Sequence, residues 1–150
     1  MNNDFFDKAF IEAKKSFDLD EVPIGVVIVK DNKIIACGHN TKESDKCSIS
    51  HAEINAIKDA SKLLDNWRLE DCDLYVTLDP CPMCASAIKQ SRIRNVYSAL
   101  NNSDEENFKI INLIFNQNDY TNSSVNFKSN LAVDKSKIIL NKFFKKQRNK

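Results

Sequence analysis

The run Ile24–Lys30 is rich in β-branched residues, and a second such run, Lys33–Cys37, follows after only two residues. Joined by Asp31-Asn32, the two read as a tight hairpin. The later strand candidates do not pair off this way. Leu74–Leu78, Val96–Leu100 and the weaker Val125–Lys128 alternate with helical stretches. Before the hairpin, Phe6, Phe10, Ala13 and Phe17 recur at intervals of 4, 3 and 4, a helical stripe over residues 4–17 with Asp4 as its N-cap. Pro23 and Gly25 break that pattern. Residues 51–64 form a second helix, with Ile54, Ile57 and Leu64 on one side, and residues 40–50 form a polar loop. Pro80 and Pro82 punctuate the chain before a helix over Ala85–Ser91; further helices fall at 108–116 and 134–146. One hairpin followed by alternating helices and strands predicts an α/β layered domain with a mixed sheet.

A chain of 150 residues suits one domain with one core, and no Pro/Gly/Ser-rich linker or repeat divides it. The longest uncharged apolar run, Val22–Val29, is too short to span a bilayer. Met1-Asn2-Asn3-Asp4 is polar and acidic, unlike a secretory signal, so the cytoplasm is the expected compartment. Five cysteines there read as thiols or metal ligands, and an odd count excludes complete intrachain pairing. The formal net charge of +1 excludes a uniformly basic nucleic-acid binder, so any nucleic acid must meet a local patch.

Chemistry concentrates at two places. His51-Ala52-Glu53 is followed, after 26 intervening residues, by Pro80-Cys81-Pro82-Met83-Cys84. One imidazole and two thiolates make a three-ligand zinc set that keeps the fourth tetrahedral position open, the catalytic arrangement. Zinc lowers the pKa of a bound water towards neutrality, and a carboxylate is then needed to carry the proton. Glu53 is the candidate. Pro82 suits the first turn of a helix, whose N-terminus favours the thiolates of Cys81 and Cys84.

Each residue also has a plainer reading. The Cys-x-x-Cys pair could be a redox pair, although the flanking prolines and the His-x-Glu argue against it. Ser50-His51-Ala52-Glu53 fits a capping box in which Glu53 merely accepts a backbone N–H. On a regular helix His51 and Glu53 would diverge, so a shared metal requires a distorted first turn. Cys47 with His51, Cys81 and Cys84 would make a closed structural zinc without a catalytic water. Cys37 and Cys72 read as buried small hydrophobes, and His39 as a structural or surface histidine.

His-x-Glu followed by Pro-Cys-x-x-Cys is the signature of zinc-dependent nucleoside and nucleobase deaminases. Within that superfamily the chain resembles the bacterial tRNA-specific adenosine deaminases, which convert the wobble adenosine (position 34) of tRNA to inosine. The matching pieces are Glu21-Val22-Pro23-Ile24-Gly25, Gly38-His39-Asn40, His51-Ala52-Glu53, Asn66-Trp67-Arg68-Leu69, Leu74-Tyr75-Val76-Thr77-Leu78, Pro80-Cys81-Pro82-Met83-Cys84 and Ser91-Arg92-Ile93. The resemblance implies a three-layer cytidine-deaminase-like fold over residues 1–150, with a five-stranded mixed sheet flanked by helices. It implies a homodimer with one zinc per subunit, held by His51, Cys81 and Cys84, and Glu53 as proton shuttle. Asn40 would hydrogen-bond the purine, Ile24 would line the base pocket, and the Ala52 and Cys81 amides would face the reacting oxygen. The partner implied is a tRNA anticodon stem-loop.

The same resemblance draws attention to the basic C-terminal helix, about residues 134–150, where Phe143 and Phe144 interrupt a run of lysines. Phe143, Phe144, Lys145 and Arg148 are the candidate RNA contacts, against the alternative of a solvated helix with both phenylalanines in the core. Two features depart from the family. The segment after the Val96 strand turns acidic at Asp104-Glu105-Glu106, unfavourable beside phosphate, and Asp79 replaces the usual Glu before Pro-Cys. Pro82 within Pro-Cys-Pro-Met-Cys also occurs in bacterial guanine deaminases. Deamination of guanine or another small nucleobase or nucleoside is therefore the alternative activity, and a non-catalytic structural-zinc or RNA-binding protein the second alternative.

Overall fold

The computed structural model describes residues 3–150. Met1 and Asn2, on which the reading of the N-terminus partly rests, lie outside them. Among the described residues the order is α1 (Asn3–Asp18), β1 (Gly25–Lys30), β2 (Lys33–His39), α2 (Lys42–Asp45), α3 (Ala52–Leu64), β3 (Cys72–Val76), α4 (Pro82–Gln90), β4 (Asn95–Ser98), α5 (Glu105–Asn116), β5 (Asn126–Lys128) and α6 (Val133–Arg148). The strands form one sheet in the order β2-β1-β3-β4-β5. β1 is antiparallel to both β2 and β3, whereas β3, β4 and β5 run parallel. This is the expected mixed five-stranded sheet flanked by helices.

The hairpin forms where the sequence places it. Lys30 pairs with Lys33, and both turn residues are left-handed, Asp31 at φ 51° and Asn32 at φ 61°. Two positive φ angles give the turn whose twist matches the flanking strands. Period-2 alternation then sends side chains to two cores. Val26, Ile28, Leu74, Val76 and Val96 face Ala52, Ala56, Ala60, Ala85, Ile88 and Ile111 of α3, α4 and α5. Val27, Val29 and Tyr75 face Phe6 and Ala9 of α1. α6 packs beside α1, with Phe143 edge-on to Phe17 at 6.2 Å.

Element ends differ from the sequence reading for identifiable reasons. β3 is Cys72–Val76, because its partners on β1 are Val26–Lys30. α5 starts at Glu105, since the Asp104 side chain accepts the Asn107 N–H and caps it. The acidic triplet is thus the opening of a helix, where carboxylates are favoured. The polar loop 40–50 contains the one-turn helix α2, whose amides are held by acceptors outside it. Asp4 lies in the first turn of α1 and not before it. Cys72 is buried as expected, but Cys37 is exposed: β2 is an edge strand, and Cys37 alternates with buried Ala36 and Gly38.

The chain's two glycines are where helices touch the sheet most closely. A Cβ on Gly25 would lie 1.9 Å from the Ala9 carbonyl oxygen of α1. A Cβ on Gly38 would lie 2.4 Å from the Ala52 carbonyl oxygen and 2.7 Å from the Ala56 nitrogen of α3. Backbone cannot yield at those distances without the whole helix moving. Gly38→Ala is therefore expected to destabilise the fold by about 1–3 kcal/mol, the usual cost of overpacking. Thermal unfolding checks this, and a melting temperature equal to wild type would contradict it.

Candidate active site

α3 and α4 begin side by side. His51 is the N-cap of α3 and Cys81 the N-cap of α4, both with extended backbone (ψ 156° and 169°). An N-cap side chain is not bound to helical geometry, so His51 and Glu53 need not diverge as they would on a regular helix. His51 Nδ1 lies 3.6 Å from Cys81 Sγ and 3.5 Å from Cys84 Sγ. The three ligand atoms all fall within 4.8 Å of one another. Among the described residues this is the one group of three or more His, Cys, Asp or Glu side chains spaced for a metal ion. Cys47 is not part of it, which argues against the closed four-ligand arrangement. The capping box does not form either, because Ser50 precedes the N-cap and its N–H donates to the Cys47 carbonyl.

Charge at the site follows from burial. Glu53 is 4% exposed. Desolvation raises its pKa from 4.5 to about 7, with a smaller push from the neighbouring Cys81 sulfur. The two thiols are coupled. The Cys84 side chain stabilises a thiolate at Cys81, lowering Cys81 to about 5, while Cys84 is driven upward for the same reason and by burial. A bound cation would favour the thiolate of both.

The remaining candidates sit around this group. Ala52 is fully buried in the first turn of α3, and Ile24 is half-buried against the core. Thr41 N–H donates to the Ser50 carbonyl, joining the segment after β2 to the residue before His51. Asn40 is buried there. Its Oδ1 accepts the Lys42 N–H at 3.1 Å and its Nδ2 donates to the Val22 carbonyl at 3.2 Å. A groove of about 740 Å³ runs from Asn40 and Val22 to Phe144 and Gln147. The phenylalanine pair divides: Phe143 is 5% exposed and packs inward, whereas Phe144 is 46% exposed on the groove. Lys145 and Arg148 are exposed and enter no ion pair among the described residues, unlike Lys135, Lys146 and Lys150, which meet Asp7 or Asp20. The sequence reading missed the Glu21 carboxylate, 1% exposed, which binds the amides of Glu43 and Ser44. Only the Glu-Val-Pro spacing next to the hairpin hinted at it.

A mixed sheet with two helix starts presenting His, Glu and Cys-x-x-Cys at the ends of its strands defines a protein of the cytidine-deaminase-like class. The chain belongs to the MafB19-like deaminase family, whose model matches residues 1–148. It is 39% identical to the tRNA-specific adenosine deaminase of Aquifex aeolicus over 99% of its own length and 98% of that protein's. It is 52% identical to the chloroplastic tRNA(adenine(34)) deaminase of Arabidopsis thaliana over 92 residues, 61% of this chain but only 7% of that protein. A structure solved in a study of A-to-I editing by tRNA:A34 deaminases superposes with a TM-score of 0.82 at 35% identity, covering 93% of this chain and all of that one.

The buried carboxylate carries a stability cost with a definite sign. The folded-state pKa of Glu53 is raised, to about 7 from 4.5, so folding takes up a proton between those values. Its contribution is fully present below about 4.5 and is lost as pH rises through about 7. In chelator-treated protein, Glu53→Gln should gain stability over wild type between pH 5 and pH 8, up to about 3 kcal/mol. Denaturant titrations at the two pH values test it, and a constant difference would refute the assignment.

Proposed function

We propose that this chain is a zinc-dependent hydrolase that deaminates the wobble adenosine of tRNA to inosine. The observation that carries the reading is the convergence of His51, Cys81 and Cys84 beside the buried Glu53. A tetrahedral ion with a nitrogen ligand at about 2.0 Å and sulfur ligands at about 2.3 Å has N···S edges of about 3.5 Å. The separations of 3.5 and 3.6 Å fit that figure, and an N,S,S donor set favours zinc over harder cations. Zinc, one per subunit, would supply an activated water.

The chain's own residues do the rest. Glu53, poised near neutrality, takes a proton from the water as its oxygen bonds to C6 and delivers that proton to N1 of the adenine; it then takes the remaining proton from the C6 hydroxyl and passes it to the amino group, which leaves as ammonia when the C6–N bond breaks. The balance is adenosine plus water to inosine plus ammonia. Asn40 keeps one Nδ2 hydrogen for an acceptor atom of the base, because Val22 takes the other. Ile24 would form a wall of the base pocket, and the Ala52 amide, in the first turn of α3, is a donor for the developing oxyanion. Phe144, Lys145 and Arg148 offer a stacking ring and two unpaired cations to a flipped-out nucleotide and its phosphates, with Phe143 buttressing them from the core. Residues 1–150 are read as one deaminase domain, acting on the anticodon stem-loop as a homodimer in the cytoplasm.

Incubating zinc-loaded protein with a tRNA carrying adenosine at the wobble position, followed by sequencing, should give an A-to-G readout. Ammonia release from guanine with no change in the tRNA would select the nucleobase alternative. Glu53→Ala should retain one zinc per chain while turnover falls by at least about 10²-fold, the scale of a lost general acid–base group. Metal analysis of Cys47→Ser should give the wild-type stoichiometry, whereas Cys84→Ser should lose zinc. Loss of zinc from Cys47→Ser would revive the structural-zinc reading.

A further inference from the structure

Glu21 is an acid that the proposed chemistry does not use, and it is almost wholly withdrawn from water, with 1% exposed. Its Oε1 accepts the Glu43 N–H at 2.9 Å. Its Oε2 accepts the Ser44 N–H at 2.6 Å and the Ser44 hydroxyl at 2.8 Å. These amides belong to the first turn of α2, where backbone donors have no partner inside the helix. The N-cap, Thr41, gives them nothing: its side chain donates instead to the Asp45 carboxylate at 2.6 Å. The third such amide, that of Lys42, goes to Asn40 Oδ1. Two side chains therefore divide the start of α2 between them, one from the connection between α1 and β1 and one from the proposed base pocket.

That division fixes Asn40. Its amide could sit either way round, but the Lys42 N–H demands the oxygen, which leaves Nδ2 as the group available to a base. The Asn40 backbone is held as well, its N–H on the Ile24 carbonyl at 3.2 Å and its carbonyl on the buried Ser16 hydroxyl at 2.8 Å. If α2 shifts, the Lys42 amide shifts, and the amide of Asn40 loses its reason to face one way. Lys42, Glu43 and Ser44 also form one wall of the groove that ends at Phe144. We propose that Glu21 is a positioning residue for substrate. By capping α2 from outside the helix, it locks the orientation of Asn40 and the wall of the groove. It has no part in holding metal or moving protons. This rests on the deaminase reading of the groove.

Glu21→Gln tests it, because the glutamine places an N–H₂ against an N–H donor while changing little in shape. Expected are a KM for the anticodon stem-loop raised about tenfold, with kcat changed less than about threefold. Bound zinc should stay at the wild-type stoichiometry, melting should fall by only a few degrees for the one mismatched buried contact, and amide hydrogen exchange should accelerate across Lys42–Asp45. Glu21→Asp, which keeps the carboxylate, should recover part of the KM. Should Glu21→Gln not fold, Ser44→Ala removes one of the three contacts and should raise KM about two- to threefold. A fall in kcat with KM unmoved, or a KM within twofold of wild type in both Glu21→Gln and Ser44→Ala, would overturn the proposal. A wild-type chain inert on RNA but active on guanine would instead remove the tRNA reading. The KM for guanine would then decide the role of Glu21.

Discussion

The structure depends on two helices starting at the same point. α3 and α4 leave the sheet on one face, and their N-caps, His51 and Cys81, supply two of the three potential ligands. Ser50 is buried beside His51, Glu53 occupies the first turn of α3, and Cys84 the first turn of α4. A helix start concentrates unpaired N–H groups, so two of them together make a pocket where thiolates are stabilised. The pocket also buries Glu53 to 4% exposure, and that desolvation pushes its carboxylate up towards neutrality. Dryness and positive polarity are conflicting demands in most places. Here they coincide because the donors are backbone amides, which bring polarity without a hydrated charge.

Such a meeting point requires α3 to lie close against the sheet, and glycine is what permits it. With Gly25 and Gly38 both spent on helix–sheet contact, no glycine remains for turns. Asparagine and aspartate take that duty. Of the ten non-glycine residues with positive φ among those described, seven are Asp or Asn: Asp20, Asp31, Asn32, Asp65, Asp71, Asn122 and Asn130. Their short polar side chains tolerate the left-handed region better than other residues do. The high asparagine content, 18 of 150 residues, is thus partly a structural necessity.

Local pattern made the hairpin, the alternating strands and most helices legible, because period and turn chemistry are written in neighbouring residues. The metal-type group was legible because its spacing is chemical. What stayed hidden was tertiary. α2 lacks a hydrophobic stripe and exists because Glu21 and Asn40 cap it from elsewhere in the chain. Cys37 looked like a core residue by its apolar neighbours, yet it pairs with Val27 on the α1 face of an edge strand and is left exposed there. The spacing of Phe143 and Phe144 says only that they face different ways. Which of them packs on Phe17 depends on how α6 lies against α1.

Charge shows the same dependence on context. Seven cations and no acid between residues 135 and 150 suggest a broad basic surface. Packing α6 on α1 brings Lys135 to Asp7, and Lys146 and Lys150 to Asp20, so that part of the charge is spent within the fold. Exposed pairs of this kind add little stability, but they do narrow the field. Lys137, Lys142, Lys145 and Arg148 enter no ion pair among the described residues, on the helix whose Phe144 opens onto the groove leading to Asn40. The acids at 104–106 are taken up by the start of α5. A net charge of +1 therefore coexists with a set of unpaired cations along α6. On the proposed reading, one extruded nucleotide needs no long phosphate track, and an exposed Phe144 ring on the groove, with cations on the same helix, suits that task.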